Sequence, residues 1–124
     1  LLVDYGYDHT TPEGADTFQA LRNHAYVDPL ATPGEADLTA HVDFPALAEA
    51  ATCQASQINS QGTWLAHLGI GARAQGLLRA QPDQAQKIAD ALHRLTDASQ
   101  MGTLFKAMAL FPKGAPPPPG FEER

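Results

Sequence analysis

The run Leu1-Leu2-Val3 places three apolar side chains in succession and is closed by the polar-aromatic turn Asp4-Tyr5-Gly6-Tyr7. A half-buried strand alternates apolar and polar residues. A short uninterrupted apolar run bounded by turn residues instead suits a strand buried on both faces, as in parallel sheets covered by helices. This feature predicts an α/β chain, and it predicts neighbouring strands supplied by sequence upstream of Leu1. In an open parallel sheet the carboxyl ends of the strands form the ligand crevice. Asp4, Tyr5 and Tyr7 are therefore candidates to orient a polar substrate there, although the two tyrosines can equally pack beneath the following loop.

Further along, Asp8 to Gly14 is turn-rich, and Thr17–Leu21 and Tyr26–Val27 read as short extended pieces. Asp28-Pro29 and Thr32-Pro33-Gly34-Glu35 are breakers that leave the next stretch irregular. A helix is expected from Asp43, whose carboxylate can cap free amides while Phe44, Leu47, Ala48 and Ala51 fall on one face. Ala55–Gln61, with Ile58 in a polar run, reads as an edge strand. Thr63 is expected to cap a short helix carrying Trp64, Leu65 and Leu68, with Gly69 as a left-handed stop before a second stretch from Ile70 through Leu78. Pro82-Asp83 opens the clearest helix, striped by Ala85, Ile88, Ala89, Leu92 and Leu95. Leu104–Phe111, apolar apart from Lys106, favours a buried strand over a short helix. Pro116–Pro119 suits an extended polyproline tail wrapped on its own domain. The chain thus divides into residues 1–113, part of one domain, and a proline-rich tail over 114–124.

The chain has 124 residues, 44% hydrophobic and 18% charged, which bounds it to one domain or a piece of one. Its net charge of -6, with 8 basic residues spaced along the sequence against 14 acidic ones, argues against nucleic acid. No stretch approaches the roughly 20 apolar residues needed to span a bilayer, and no secretory signal fits the start. The single Cys53 excludes an internal disulfide and a multi-cysteine zinc site, suits a reducing compartment, and reads as a small packed thiol.

Asp37, His41 and Asp43 gather two carboxylates and an imidazole, enough for a general base or a proton relay. Asp43 as a helix cap and His41 bonded to a neighbour explain the same residues. No metal is expected there, because the spacing fits no ligand motif and His9, His24, His67 and His93 share no metal-binding spacing. His67 and His93 read as boundary residues of helices. Ser56, Ser60 and Ser99 sit in no G-x-S-x-G elbow, and Gly69-Ile70-Gly71 with Gly76 lacks the context of a phosphate cradle. A helix-turn-helix over Thr63–Leu78 would have only Arg73 and Arg79 as basic residues in or beside it, too few for DNA.

Residues 1–44 (LLVDYGYDHTTPEGADTFQALRNHAYVDPLATPGEADLTAHVDF), QGTWLAHLGIGAR, MGTLFKAMAL and PPPPGF closely resemble the later part of the MidA family. These are S-adenosylmethionine-dependent methyltransferases of the seven-strand, Rossmann-like class, including a mitochondrial protein arginine methyltransferase that assists respiratory complex I assembly. The resemblance implies that Leu1–Tyr7 is a late parallel strand, that Phe105–Phe111 is the antiparallel strand finishing the sheet, and that PPPPGF is the family's own carboxy terminus. It implies a protein substrate, such as a complex I subunit, and a cytoplasmic location, or the mitochondrial matrix in a eukaryote, with a homo-oligomer as an option.

The family's glycine-rich loop, its ribose-binding acid and its N-E-x-x-D-A-L-P-like segment do not occur here. The segment alone is therefore expected neither to bind S-adenosylmethionine nor to catalyse. It would supply a substrate-side wall, with Asp4, Tyr5 and Tyr7 first and His41 and Asp43 second. A non-catalytic interaction module of the same fold is the competing reading. An isolated half sheet exposes an open edge and a bare apolar face, so the chain should self-associate on gel filtration. A sharp monomer peak with cooperative unfolding is the contrary outcome.

Overall fold

A computed structural model of the chain describes residues 1–9 and 16–122; Thr10 to Gly14, where a turn is expected, lie outside the described residues. Strand β1 covers Leu2–Tyr7. β2 (Gln19–Arg22) and β3 (Ala25–Val27) form a hairpin whose two linking residues, Asn23 and His24, both have positive φ, 51° and 63°, the signature of a type I′ turn. β4 (Asp37–Thr39) joins β2 on its other side, pairing Ala20 with Leu38. That corrects the expectation of irregular chain after Pro33. A stretch of three residues opening on an aspartate carries little strand signal by itself, and the long-range ladder to β2 supplies what the local sequence lacks.

β5 (Val42–Asp43) runs directly into α1 (Phe44–Ala50), where Asp43 Oδ1 accepts the Ala46 amide at 2.9 Å, the expected cap. In place of one edge strand over Ala55–Gln61 there are two short ones, β6 (Gln54–Ala55) and β7 (Asn59–Ser60), which enter different ladders. α2 (Gln61–His67) is capped by Ser60, whose Oγ accepts the Thr63 amide at 3.2 Å. Thr63 is thus the residue capped and not the cap, because β7 ends at Ser60 and the helix starts at once. Gly69 turns the chain with a φ of 81° into α3 (Ile70–Ala80). After a single 3₁₀ turn at Pro82–Gln84, α4 (Ala85–Thr96) follows, with none of its residues fully buried.

The expected strand Leu104–Phe111 is broken into α5 (Met101–Leu104), β8 (Phe105–Met108) and β9 (Leu110–Phe111). The break has a visible cause at Ala109. Its amide donates to the hydroxyl of Ser56 at 2.9 Å while its carbonyl accepts the Ser56 amide, also at 2.9 Å. A side chain thereby replaces a backbone acceptor, and the chain passes from one ladder to the next.

The main sheet runs β5-β1-β8-β7. β1 pairs antiparallel with β8 from Leu2↔Met108 to Tyr5↔Phe105, as expected for the finishing strand, and parallel with β5 only at Gly6↔Val42 and Tyr7↔Asp43. The expectation of a doubly buried opening strand is not met: Leu1, Leu2 and Val3 remain 68%, 37% and 38% exposed. The reason is topological. Among the described residues no strand covers the second edge of β1 from Leu2 to Tyr5, since β5 reaches only its last two residues.

Phe44 and Met108 are fully buried, and Ala107, Ala109, Phe111 and Phe121 form a core cluster against which Trp64 and Ala115 pack. The proline tail wraps its own domain, as expected. Phe121 stacks on Trp64 with ring centroids 6.0 Å apart, and the Gly120 carbonyl lies 3.1 Å from His67 Nδ1. Gly120 has a φ of 87°, and a Cβ there would fall 2.8 Å from the indole, so only glycine closes this turn. Among the described residues no helix is long and apolar enough to cross a membrane.

Gly6 is the tightest point of the β1–β5 junction: a Cβ would run into the Val42 carbonyl and lie 2.9 Å from Phe44 Cε2. Gly6→Ala should lower stability by about 1–3 kcal/mol, as overpacking does, read from the urea midpoint at unchanged slope. An unchanged midpoint would show that β5 does not close on β1.

Candidate functional site

Alternation along β1 sends successive side chains to opposite faces of the sheet. Asp4 therefore leaves on the face of its cross-strand partner Lys106, whereas Tyr5 and Tyr7 leave on the other. Asp4 is exposed, and its Oδ1 accepts the neighbouring Tyr5 amide at 2.8 Å. The acid and the two phenols of Asp4-Tyr5-Gly6-Tyr7 are thus not brought together.

The tyrosine face does gather aromatic rings. Tyr5 meets Phe105 edge-on, with centroids 5.5 Å apart at 88°, and His41 at 5.8 Å and 59°. Tyr7, half-buried, lies 6.5 Å from the ring of His9 and stands in register with Asp43 on β5. His41 is held by its backbone, whose amide donates to Thr17 Oγ1 at 3.1 Å. Asp43 is committed to capping α1, so of the second pair it is His41 that offers a free ring to the site. Asp37 lies on β4, paired with Leu21, away from that row.

Sequence reasoning passed over a cluster of three residues, Asp8 and His9 immediately beyond β1 and Lys106 on β8. Asp8 Oδ1 lies 2.9 Å from His9 Nδ1, so a proton on that nitrogen is donated to the carboxylate; Asp8 Oδ2 lies 3.8 Å from Lys106 Nζ. Lys106 is buried, 7% exposed, and its ammonium donates to the Thr103 carbonyl at 2.6 Å. The His9 hydrogen bond, assisted by the Lys106 charge and opposed by partial burial, holds the Asp8 carboxyl below the usual carboxylate range. A signal for this cluster existed, since Lys106 is the one charge in an otherwise apolar run and Asp8-His9 follows directly on the aromatic turn.

The arrangement can bind a planar cation. Aromatic faces attract a guanidinium; Asp8 reaches that row only through His9, whose ring lies 6.5 Å from Tyr7, while its own contact with Lys106 is on the face of Asp4. Among the described residues the strand-to-helix junctions Asp43–Phe44 and Ser60–Gln61 have no glycine turn, and Gly62, within α2, serves helix packing, with Thr96 O 2.7 Å from where its Cβ would be.

A family model describing candidate S-adenosyl-L-methionine-dependent methyltransferases matches residues 1–63, just over half the chain. The chain is 39% identical over 117 residues to the Drosophila melanogaster protein arginine methyltransferase NDUFAF7 homolog, mitochondrial, covering 90% of this chain and 26% of that protein. It is 35% identical over 116 residues to the Homo sapiens protein arginine methyltransferase NDUFAF7, mitochondrial, with the same coverage of 90% and 26%. Among solved structures, a methyl transferase candidate from Burkholderia thailandensis bound to S-adenosyl-homocysteine superimposes with a TM-score of 0.75 at 26% identity, over 98% of this chain and 32% of that one. The chain therefore spans about a quarter of the length of these curated relatives.

Asp8 gives a pH signature. Its folded carboxyl is more acidic than the ordinary value of 3.8, so its ionised form adds stability above 3.8, and that contribution is lost as pH falls below 3.8 through the folded value. Thermal unfolding followed from about pH 5 down to about pH 2 should fall more steeply for the native chain than for Asp8→Asn. Parallel curves would mean that the Asp8–His9 pair does not form.

Proposed function

We propose, on the premise that this chain belongs to the family of S-adenosyl-L-methionine-dependent methyltransferases whose model matches residues 1–63, that it forms the substrate-side wall of an enzyme methylating an arginine side chain of a partner protein. The observation that carries this reading is the aromatic row Phe105–Tyr5–His41 beside Tyr7, with the ionised Asp8 at the end of β1. The names of the relatives, protein arginine methyltransferases, point to the same substrate chemistry.

In this reading Tyr5, Tyr7 and His41 line the wall against which a guanidinium stacks, with Asp8 joined to it through His9. Lys106 and His9 position Asp8, and Asp43 acts through the geometry of α1. Asp4, on the opposite face, contributes to the sheet edge and not to the wall. Methyl transfer of this kind depends on proximity and charge placement more than on covalent help from the protein, which is what a wall can supply. S-adenosylmethionine would be held by other parts of a longer protein, since neither strand-to-helix junction among the described residues has a glycine turn. The partner protein is proposed to be a respiratory complex I subunit where the host is a eukaryote, with the enzyme in the mitochondrial matrix. A non-catalytic interaction module would want a free proline tail, but this tail is bound to Trp64 and His67.

Two measurements test the reading. Residues 1–124 alone should show no micromolar binding of S-adenosylmethionine by calorimetry. In the longer protein carrying this segment, Tyr7→Ala and His41→Ala should each lower methyl transfer to an arginine-containing protein by roughly 10–100-fold, with the dissociation constant for S-adenosylmethionine unchanged. Cofactor binding by the segment alone, or full activity of both variants, overturns it.

A further inference from the structure

The most amphipathic helix of the chain, α4, leaves its apolar stripe only partly covered. None of the residues of α4 is fully buried, and between it and α3 runs an open groove of about 340 Å³. Its floor is aliphatic, built from Ile70 and Leu77 of α3 and Ile88 and Leu92 of α4, all half-buried. Its only charged lining residues are Arg73 on one helix and Lys87 on the other.

Both cations are exposed, and among the described residues neither enters an ion pair. The wider hairpin shares the bias. Residues 70–96 carry Arg73, Arg79, Lys87 and Arg94 against Asp83 and Asp90, an excess of +2 in a chain of net charge -6, which leaves -8 for the remainder. The basic residues are spaced in sequence, and the helical hairpin brings two of them, Arg73 and Lys87, to one groove.

We propose that this groove docks an amphipathic helix of a partner protein, with an apolar stripe seated on the Ile70–Leu77–Ile88–Leu92 floor and acidic residues flanking it to meet Arg73 and Lys87. The mode is helix-in-groove recognition with complementary charge at the rim. The 11 residues of α3 give the groove a length of about 16 Å, room for roughly three turns of a bound helix. The groove is open along its length, so a small ligand would stay half in water while a helix would cover the floor. A second copy related by a twofold axis would bring an identical pair of cations against these, so like charge opposes self-docking through this face. The proposal stands apart from the catalytic reading and names a separate surface.

The test uses two labelled helical peptides of about 14 residues with leucine at i, i+3, i+4 and i+7, one flanked by glutamates and one by lysines. Fluorescence anisotropy should show the glutamate peptide binding the native chain at least about tenfold more tightly than the lysine peptide. The double substitution Arg73→Glu with Lys87→Glu should invert that order, which loss of folding could not do. Equal binding of the two peptides, or binding of neither, overturns the proposal. So does a dimer in sedimentation that dissociates on the double substitution, which would make a second copy the occupant. Retention on phosphatidylserine vesicles without peptide binding would overturn it in favour of a membrane surface.

Discussion

The antiparallel ladder between β1 and β8 joins the two ends of the sequence, and the other elements are placed by it. Closing so long a loop costs chain entropy before any contact returns it. The return comes from β8, which is flanked by β1 and β7 and buries Lys106, Ala107 and Met108 in succession. One face of this strand carries Ala107 into the cluster with Phe111, Phe121 and Trp64, while the other carries Lys106 toward Asp8. The central strand therefore serves both the core and the rim of the site, and a shift of its register by one residue would exchange the two.

How far the sequence discloses this depends on whether a feature is local. The cap at Asp43, the left-handed turn at Gly69 and the α4 stripe are set by neighbouring residues, and each can be read in advance. β4 and the paired fragments β6 and β7 owe their existence to distant partners, so the polar run around Ile58 gives one vague strand where there are two short ones. The split at Ala109 is invisible in an apolar run because its cause, the Ser56 hydroxyl, lies far away in the chain. The same limit explains the opening strand: its apolar character is plain, but its exposure depends on which strands stand beside it.

The aromatic residues of the opening run are plain in the sequence, but the face each one takes is not. Reading Asp4-Tyr5-Gly6-Tyr7 as one recognition unit ignores the twofold alternation of a strand, which sends Asp4 to the face opposite the two tyrosines, the face on which Lys106 meets Asp8. His41 holds its place because β5 continues beside Gly6, and that approach is close enough to exclude any larger residue from position 6.

The stacking of Phe121 on Trp64 has a consequence for how the molecule can be observed. Trp64 is the only tryptophan, its buried indole nitrogen has no hydrogen-bond partner among the described residues, and the ring beside it, Phe121, comes from a segment synthesised later. Within this chain the stacked side of the indole is covered by Phe121. The chain thus carries a built-in optical gauge, since the emission of a single fluorophore reports when the last part of the sequence has come home.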